Sequence, residues 1–259
     1  MSLNRVLSVM IPAFNEERTL EVILNHVLDR PEVGEVIAVD DGSTDSTWMI
    51  LTRFAERDPR VRSFRQGTNR GKGAALRRAI EEVRMPYAVV QDADLEYDPR
   101  DYPTLLGPLV EGRADVVYGV RGFAGQTAHS FWFVLGNAAV TLAANVLFDC
   151  YISDLESGYK ALRTDLWRRL NLKGDRFDIE PDITGRVLRL GYRIHEVPIR
   201  YYARSRAEGK KLTWFDGLRA IRQLVRLRLT TYYSLFGRGA DRAYHQERQR
   251  QLSLRHPLM

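Results

Sequence analysis

Three acidic residues at alternate positions, Asp92, Asp94 and Glu96, directly follow an apolar segment at 87–91. Side chains at alternate positions can converge on one point where an extended strand ends. Mg²⁺ and Mn²⁺ prefer oxygen ligands, often one or two carboxylates completed by phosphate and water oxygens. These residues therefore indicate a site for Mg²⁺ or Mn²⁺ that holds a phosphorylated ligand. A polar strand end followed by a helix cap is the structural alternative.

Two earlier segments could bind the organic part of such a ligand. Asp40 and Asp41 leave an apolar strand together, and a carboxylate in that position can accept hydrogen bonds from a nucleobase or a ribose hydroxyl. The turn at 69–73 is rich in glycine and contains Lys72, which could lie near a phosphate. Because the turn lacks the full spacing of a P-loop, ATP hydrolysis is not indicated.

The segment from Pro12 to Glu17 ends the first predicted strand, and its residue types also allow a purely structural interpretation. Pro12 could stop the strand pairing, and Asn15 could cap the following helix. Ser43 or Asp45 could cap the next helix in the same way. Taken alone, these segments indicate turns; their order along the chain makes them informative.

The first half of the chain alternates short β-branched segments with segments of helical periodicity, which predicts a mainly parallel, doubly wound α/β sheet. In such sheets, ligands bind beyond the carboxyl ends of the strands, where the acidic segments fall. The predicted strands are 6–14, 36–40, 61–64, 87–91 and 115–118, and the predicted helices are 16–28, 46–56, 73–83 and 101–110.

The second half predicts an uncharged helix at 130–148, a helix near 180–190 and a strand at 193–202. On the uncharged helix, Asn137, Thr141 and Asn145 recur every four residues and form one polar stripe, which favours an interfacial or packed helix over a spanning one. A basic amphipathic helix is predicted at 214–229, and a polar basic tail at 237–259. One catalytic domain, 1–229, is expected.

The composition limits the choice of partners and compartments. The formal net charge is +6, which favours nucleic acid, an anionic membrane or a phosphorylated substrate as partner. Cys150 is the single cysteine, so an intrachain disulfide and a cysteine zinc cluster are excluded. The start of the chain lacks the pattern of a signal peptide. A cytoplasmic protein is expected.

Taken in order, the four segments at 11–17, 39–45, 69–73 and 92–94 resemble the family 2 glycosyltransferases, whose nucleotide-binding domain has the GT-A fold. The segments at 154–160, 177–184 and 196–202 look like those of the dolichyl-phosphate mannose and glucose synthases. The resemblance implies that the nucleotide contacts are Pro12, Phe14, Glu16 and Asp41. It implies a metal at Asp92, Asp94 and Glu96.

The same resemblance implies roles for four residues of the second half. Arg121 matches an arginine that contacts the acceptor phosphate, and Ser130 is assigned to the same phosphate. Arg206 and Lys211 match a mobile basic loop that closes over the donor diphosphate. With Asp94, these two residues form the predicted catalytic set, because positive charge stabilises the leaving diphosphate.

The predicted reaction is the inverting transfer of a hexose from a UDP- or GDP-sugar to a polyprenyl phosphate, by a protein bound peripherally to the cytoplasmic face of the membrane. A phosphate acceptor is already anionic at neutral pH and needs no general base. The alternative is a soluble acceptor with a hydroxyl nucleophile, for which Asp154 or Glu156 would be the base. A basic nucleic-acid-binding protein is the less favoured alternative, because acidic strand ends repel a phosphate backbone, and no nucleic-acid partner is expected.

Overall fold

The structure is a computed structural model that describes residues 3–122, 131–176, 178–203 and 214–230. Three predicted site residues, Ser130, Arg206 and Lys211, lie outside these ranges, as does the predicted tail at 237–259.

Seven strands of the described residues form one mixed sheet. The strands are β1 (Leu7–Ala13), β2 (Val33–Asp40), β3 (Val61–Arg65), β4 (Tyr87–Val90), β5 (Val116–Arg121), β6 (Lys160–Arg163) and β7 (His195–Ile199). Their order in the sheet is β3-β2-β1-β4-β6-β5-β7. The pairs β1–β2, β1–β4, β2–β3 and β5–β7 are parallel, whereas β6 runs antiparallel to both β4 and β5. The predicted mainly parallel sheet is confirmed.

Helices cover both faces of the sheet, as the doubly wound prediction requires. The helices are α1 (Leu20–Leu28), α2 (Thr47–Arg57), α3 (Lys72–Glu82), α4 (Tyr102–Val110), α5 (Phe131–Phe148), α6 (Thr164–Arg169), α7 (Ile179–Arg189) and α8 (Trp214–Leu229). Side chains of β1 such as Val9 pack with α1, α2 and α4 on one face, and alternate side chains such as Met10 pack with α3, α6 and α7 on the other.

Two expected details of the first turns are wrong. Pro12 lies inside β1 opposite Val39, and does not end the strand. The pairing of β1 with β4 ends at Met10, so the missing N–H of Pro12 costs no bond on that side. Helix α1 begins at Leu20 instead of residue 16, after a turn in which Asn15 has a φ of 55°.

Helix α5 has its polar stripe on the inside. Asn137 and Thr141 are buried, whereas Leu142 and Val146 are 62% and 73% exposed. Phe131 and Leu135 are exposed too. At 3.6 residues per turn, these four apolar side chains lie within ~60° of the helix circumference. The helix therefore directs its polar stripe toward the protein and an apolar stripe toward solvent.

Helix α8 packs against α5 through Ala220 and Leu224, which share a small core with Val140 and Ala144. Its opposite side exposes Leu218 and Leu229. Arginines at 219, 222, 226 and 228 are also exposed. Among the residues described here, no helix combines the length and apolar character needed to cross a membrane.

Candidate active site

The predicted donor-binding segments lie at one edge of the sheet. Strands β2, β1 and β4 are parallel neighbours, so their carboxyl ends meet. Phe14 follows β1, Asp41 follows β2, and Asp92 and Asp94 follow β4. The structure thus brings these residues to the edge at which open α/β sheets bind ligands.

The turns after β1 and β2 brace each other. The Ser43 hydroxyl accepts a hydrogen bond from the Asn15 backbone N–H at 3.0 Å, and Asn15 Oδ1 accepts one from the Thr44 N–H at 2.9 Å. The Thr47 hydroxyl accepts from the Glu16 N–H at 2.9 Å. Asn15 and Ser43 therefore join the two turns to each other, and their expected role as helix caps is wrong.

The start of α2 is bound by Asp45, one of the two caps expected there. Asp45 Oδ1 accepts a hydrogen bond from the Thr47 N–H at 3.0 Å, although the residue directly before the helix, Ser46, makes no side-chain cap bond. The other oxygen, Oδ2, accepts one from the Glu17 N–H at 3.2 Å. These hydrogen bonds hold the pKa of the Asp45 carboxyl below its usual value despite partial burial.

Asp41 holds the glycine-rich turn in place. Its two carboxylate oxygens accept hydrogen bonds from the backbone N–H groups of Arg70 at 2.9 Å and of Gly71 at 2.7 Å. β-Carbons at Gly71 and Gly73 would collide with the carbonyl oxygens of Asp175 and Gly174. The glycines therefore admit another segment of this chain, and a nucleotide contact by Asp41 remains a prediction.

Lys72 links the acidic turn to α7. Its Nζ lies 2.7 Å from Asp92 Oδ1 and 2.8 Å from Glu180 Oε1. Burial lowers the pKa of Lys72, but the charges of Asp92 and Glu180 outweigh it and hold the pKa well above its usual value. Lys72 therefore carries a full positive charge beside the predicted metal ligands. Glu180 lies within the segment at 177–184, but its residue type alone predicts no role for it.

Asp92 and Asp94 offer oxygen ligands that fit Mg²⁺ or Mn²⁺. A β-carbon at position 158 would come within 2.6 Å of Asp92 Oδ2, so Gly158 leaves the space that this carboxylate occupies. Asp94 Oδ1 accepts a hydrogen bond from the Glu96 N–H at 3.1 Å across Leu95, whose φ is 63°. The turn is thereby fixed with two carboxylates at the sheet edge.

Glu96 has a different contact. Its Oε2 accepts a hydrogen bond from the Tyr201 hydroxyl at 2.8 Å. Within the described ranges, no group of three or more histidine, cysteine, aspartate or glutamate side chains is arranged to hold a metal ion. The binding of a metal ion by Asp92 and Asp94, with Glu96 as third ligand, therefore remains a prediction.

A tyrosine cluster behind the acidic turn was not predicted from the sequence. Gln91 Oε1 accepts hydrogen bonds from the hydroxyls of Tyr102 at 2.7 Å and Tyr159 at 2.6 Å. The Tyr97 hydroxyl accepts one from the Gly158 N–H at 2.7 Å. These bonds join the turn after β4 to the loop before β6. No periodicity signals this cluster, because its members come from separate segments.

Arg121 is buried at the end of β5 in an ion pair with Asp154. Its Nε and Nη2 donate to the two carboxylate oxygens of Asp154 at 2.7 Å each, and its guanidinium lies 5.1 Å from the Tyr201 ring centroid. Asn137 of α5 donates to Asp154 Oδ1 at 3.2 Å. The polar stripe of α5 therefore contacts the ion pair of the residue predicted to bind the acceptor phosphate, and that role of Arg121 remains a prediction.

The pKa is shifted at Glu156, a partly buried residue of the loop before β6, and at Lys160, the buried first residue of β6. Burial, with a contribution from Glu180, raises the pKa of Glu156 to about 7. Burial lowers the pKa of Lys160 to about 8. The Lys160 ammonium donates to the carbonyl oxygens of Leu155, at 2.9 Å, and Ser157, and it lies 4.5 Å from the Tyr118 ring centroid. Lys160 therefore holds the backbone on both sides of Glu156.

The raised pKa of Glu156 predicts a pH-dependent stability. Between about pH 4.5 and 7 the folded protein binds more protons at this residue than the unfolded chain, so the free energy of unfolding falls as the pH rises. Glu156→Gln removes this cost, and we expect it to stabilise the protein at pH 8 by on the order of 2–3 kcal/mol and to have little effect at pH 4.

Urea denaturation of both proteins at pH 4 and pH 8 measures this difference. Glu81→Gln, on the exposed side of α3, is the control and should change the free energy of unfolding by less than about 0.5 kcal/mol at either pH. A Glu156→Gln effect that does not change with pH would contradict the raised pKa.

Comparison with known proteins identifies the family of this chain. The family model for glycosyl transferase family 2 matches residues 8–169. The undecaprenyl-phosphate mannosyltransferase of Micrococcus luteus is 32% identical over 217 residues, which cover 80% of this chain and 87% of that protein. The polyprenol monophosphomannose synthase of Mycolicibacterium smegmatis is 32% identical over 209 residues, which cover 76% and 77%.

Among solved structures, the glucosyl-3-phosphoglycerate synthase of Mycobacterium tuberculosis, in complex with Mn²⁺, UDP and glucosyl-3-phosphoglycerate, superposes with a TM-score of 0.65. The alignment covers 88% of this chain and 80% of that one at 24% identity, and it confirms the predicted GT-A fold. The chain therefore belongs to glycosyl transferase family 2 and, within that family of glycosyltransferases, is similar to the polyprenyl-phosphate mannosyltransferases.

Proposed function

We propose that the protein transfers a hexose from a UDP- or GDP-sugar to a polyprenyl phosphate, with inversion at the anomeric carbon and with the help of Mg²⁺ or Mn²⁺. The names of the two bacterial relatives support a polyprenyl-phosphate acceptor. The site supports the same reaction through its charges, which separate into a donor part around the acidic turn and an acceptor part around Arg121.

In the donor part, Asp92 and Asp94 are the residues that would hold the metal ion. The bound metal supplies positive charge that stabilises the leaving diphosphate. Lys72 adds an ammonium group 2.7 Å from Asp92 Oδ1, within the same cluster. Pro12, Phe14, Glu16 and Asp41 contact the nucleotide, and Arg206 and Lys211 supply positive charge to the leaving diphosphate.

The orientation of α5 is the observation that carries the lipid acceptor. The helix places Asn137 against the Arg121–Asp154 pair, and it exposes Leu142 and Val146 on its outer surface. One helix thus connects the predicted phosphate-binding arginine with an apolar surface. A polyprenyl phosphate has these two properties in one molecule, an anionic head and a long apolar chain.

The acceptor phosphate attacks the anomeric carbon directly and displaces the diphosphate, which inverts the configuration. A phosphomonoester is an anion at neutral pH, so the protein needs no base to activate it. The task of Arg121 and Ser130 is to position the phosphate, and the task of the donor residues is to stabilise the departing charge.

A panel of donors and acceptors tests this function. UDP-glucose, GDP-mannose and related sugars are incubated with Mg²⁺ or Mn²⁺, with and without a polyprenyl phosphate, and the lipid product is separated and its anomeric configuration determined. We expect one donor to give an inverted polyprenyl-phosphate hexose, and chelation of the metal by EDTA to stop the transfer. Transfer that continues in EDTA, or no transfer from any donor, would overturn the proposal.

The proposal includes peripheral binding to the cytoplasmic face of the membrane, and the exposed surfaces of α5 and α8 support contact with a membrane. Apolar stripes on α5 and α8, with arginines beside the second, fit an anionic lipid surface. We expect the protein to float with liposomes that contain acidic lipid. A Leu142→Asp/Val146→Asp variant should lose most of this binding, whereas Met49→Asp on the exposed side of α2 should keep it. Equal flotation of all three proteins would contradict the assignment.

A hydroxyl acceptor is the second candidate, and Glu156 is the observation that favours it. Its pKa of about 7 suits a general base at neutral pH. Asp154 is a poor base, because Arg121 occupies both of its oxygens. If Glu156 were the base, Glu156→Gln would lower kcat by about a hundredfold or more and leave donor binding unchanged. A polyprenyl-phosphate transferase should not show this pattern.

A further inference from the structure

Glu156 Oε1 is buried and has no hydrogen-bond partner within the described residues. The next residue repeats the pattern, since the Ser157 hydroxyl is also buried and unpartnered there. Buried polar atoms in folded proteins nearly always have a partner, and an unpaired one is a cost that a bound ligand can remove. The loop that contains both atoms, 154–158, therefore needs an explanation beyond folding.

The position of Glu156 is determined by its neighbours. On one side, Arg121 binds Asp154, and the Thr141 hydroxyl accepts a hydrogen bond from the Leu155 N–H at 3.2 Å. On the other side, the Tyr97 hydroxyl accepts one from the Gly158 N–H. Lys160 binds the backbone carbonyls before and after the residue. Glu156 is thus held in place at a site where one of its carboxyl oxygens lacks a partner among the described residues.

The loop also forms a wall of the predicted metal site. Gly158, two residues after Glu156, is the residue whose missing side chain makes room for Asp92 Oδ2. Glu180, which helps to raise the pKa of Glu156, contacts Lys72, and Lys72 contacts Asp92. If the diphosphate binds at Asp92 and Asp94, the hexose attached to it lies next to this wall.

The charges around Glu156 indicate which ligand group it accepts. Two carboxylates, Glu180 and Asp154, and two cations, Lys160 and Arg121, act on Glu156. An ionised carboxylate can only accept hydrogen bonds, and a phosphate dianion has no hydrogen to donate to it. A neutral hydroxyl group can donate to a carboxylate oxygen, and a hexose presents several hydroxyl groups.

We propose that Glu156 is a specificity-determining residue that accepts a hydrogen bond from a hydroxyl group of the transferred hexose. The assignment rests on the proposed function, because it needs a sugar nucleotide at the acidic turn. It assigns the carboxyl to recognition of the donor, and not to activation of an acceptor hydroxyl. A site built to bind a particular hydroxyl strongly rejects an analogue that lacks it.

Calorimetric titration with Mg²⁺ present tests the proposal on the full chain. The ligands are UDP-glucose and GDP-mannose, together with UDP and GDP, and the proteins are wild type, Glu156→Gln, Glu156→Ala and the control Glu81→Ala. We expect Glu156→Ala to weaken binding of the sugar nucleotide about tenfold or more and to leave nucleoside diphosphate binding within about twofold of wild type. The affinity of Glu156→Gln for the sugar nucleotide should lie between those of wild type and Glu156→Ala, and the affinity of Glu81→Ala should match wild type.

Donor analogues that each lack one hydroxyl then identify the contact. For one analogue, the affinity of wild type should fall by about the same factor by which Glu156→Ala lowers the affinity for the complete donor. The Glu156→Ala variant should bind this analogue as tightly as it binds the complete donor. Equal losses for nucleoside diphosphate and sugar nucleotide, or full additivity with every analogue, would overturn the inference alone. Failure of all four nucleotides to bind would overturn the proposed function, and this inference with it.

Discussion

The Asp94→Asn variant should lose at least about a thousandfold in kcat for hexose transfer, because it replaces one of two carboxylates at the centre of the predicted metal site. The asparagine side chain keeps a carbonyl oxygen at the position of Asp94 Oδ1, which accepts a hydrogen bond from the Glu96 N–H at 3.1 Å. The turn should therefore keep its shape while the negative charge is removed. The measurement is the initial rate of transfer together with the affinity for Mn²⁺ in titrations of the purified protein.

Glu96→Gln is the matched control for this prediction. The Glu96 carboxylate accepts its hydrogen bond from Tyr201, and a glutamine oxygen can accept the same bond. We expect this variant to retain transfer within about tenfold of wild type, since it lacks only a charge at the edge of the metal site. An Asp94→Asn protein that transfers at the wild-type rate would show that the donor diphosphate is held without this carboxylate.

The largest effect on stability is expected for Asp154→Asn. Asp154 is fully buried and Arg121 is 4% exposed, so loss of the carboxylate leaves a guanidinium charge in the interior without its charged partner. Breaking a buried ion pair from one side costs about 3–5 kcal/mol. The free energy of unfolding, measured by urea denaturation, should fall by this amount.

The exposed pair Arg163–Asp165 is the control for Asp154→Asn. Its Nη2–Oδ2 distance is 2.7 Å, the same as between Arg121 Nη2 and Asp154 Oδ1, but the Asp165 side chain is 50% exposed. Asp165→Asn should cost less than about 1 kcal/mol. Equal costs for the two substitutions would contradict the buried pair. Because Asp154→Asn also destabilises the fold, a loss of transfer in this variant would not by itself identify a general base. Glu156→Gln is the better test of a general base.

The position of the predicted donor-binding segments at one edge of the sheet could largely be read from the sequence. The ends of β1, β2 and β4 are marked by local patterns, in which an apolar segment gives way to a turn at Phe14, Asp41 or Asp92. Parallel strands bring such ends to one edge, so the proximity of these residues followed once the strands were recognised. The helix at 214–229 was predicted with the observed bounds because its periodicity is local.

Strand β6 was not predicted, because it has only four residues, Lys160–Arg163, and begins with a buried lysine. Its pairing with β4 and β5 places the loop at 154–158 beside the acidic turn. The partners of Lys72 could not be predicted either, since Glu180 lies 108 residues away along the chain. Contacts between charged residues so far apart along the chain depend on the tertiary structure, which local sequence patterns do not reveal.

Helix α5 shows which features the sequence determines and which the tertiary structure decides. The sequence by itself determined an uncharged helix with one polar stripe, and it determined acidic strand ends that suit a metal and a diphosphate. Only the tertiary structure decided that the stripe faces inward, because Arg121 and Asp154 are buried beneath it and require polar partners. For the same reason it decided that Leu142 and Val146 remain exposed on the opposite side of the helix.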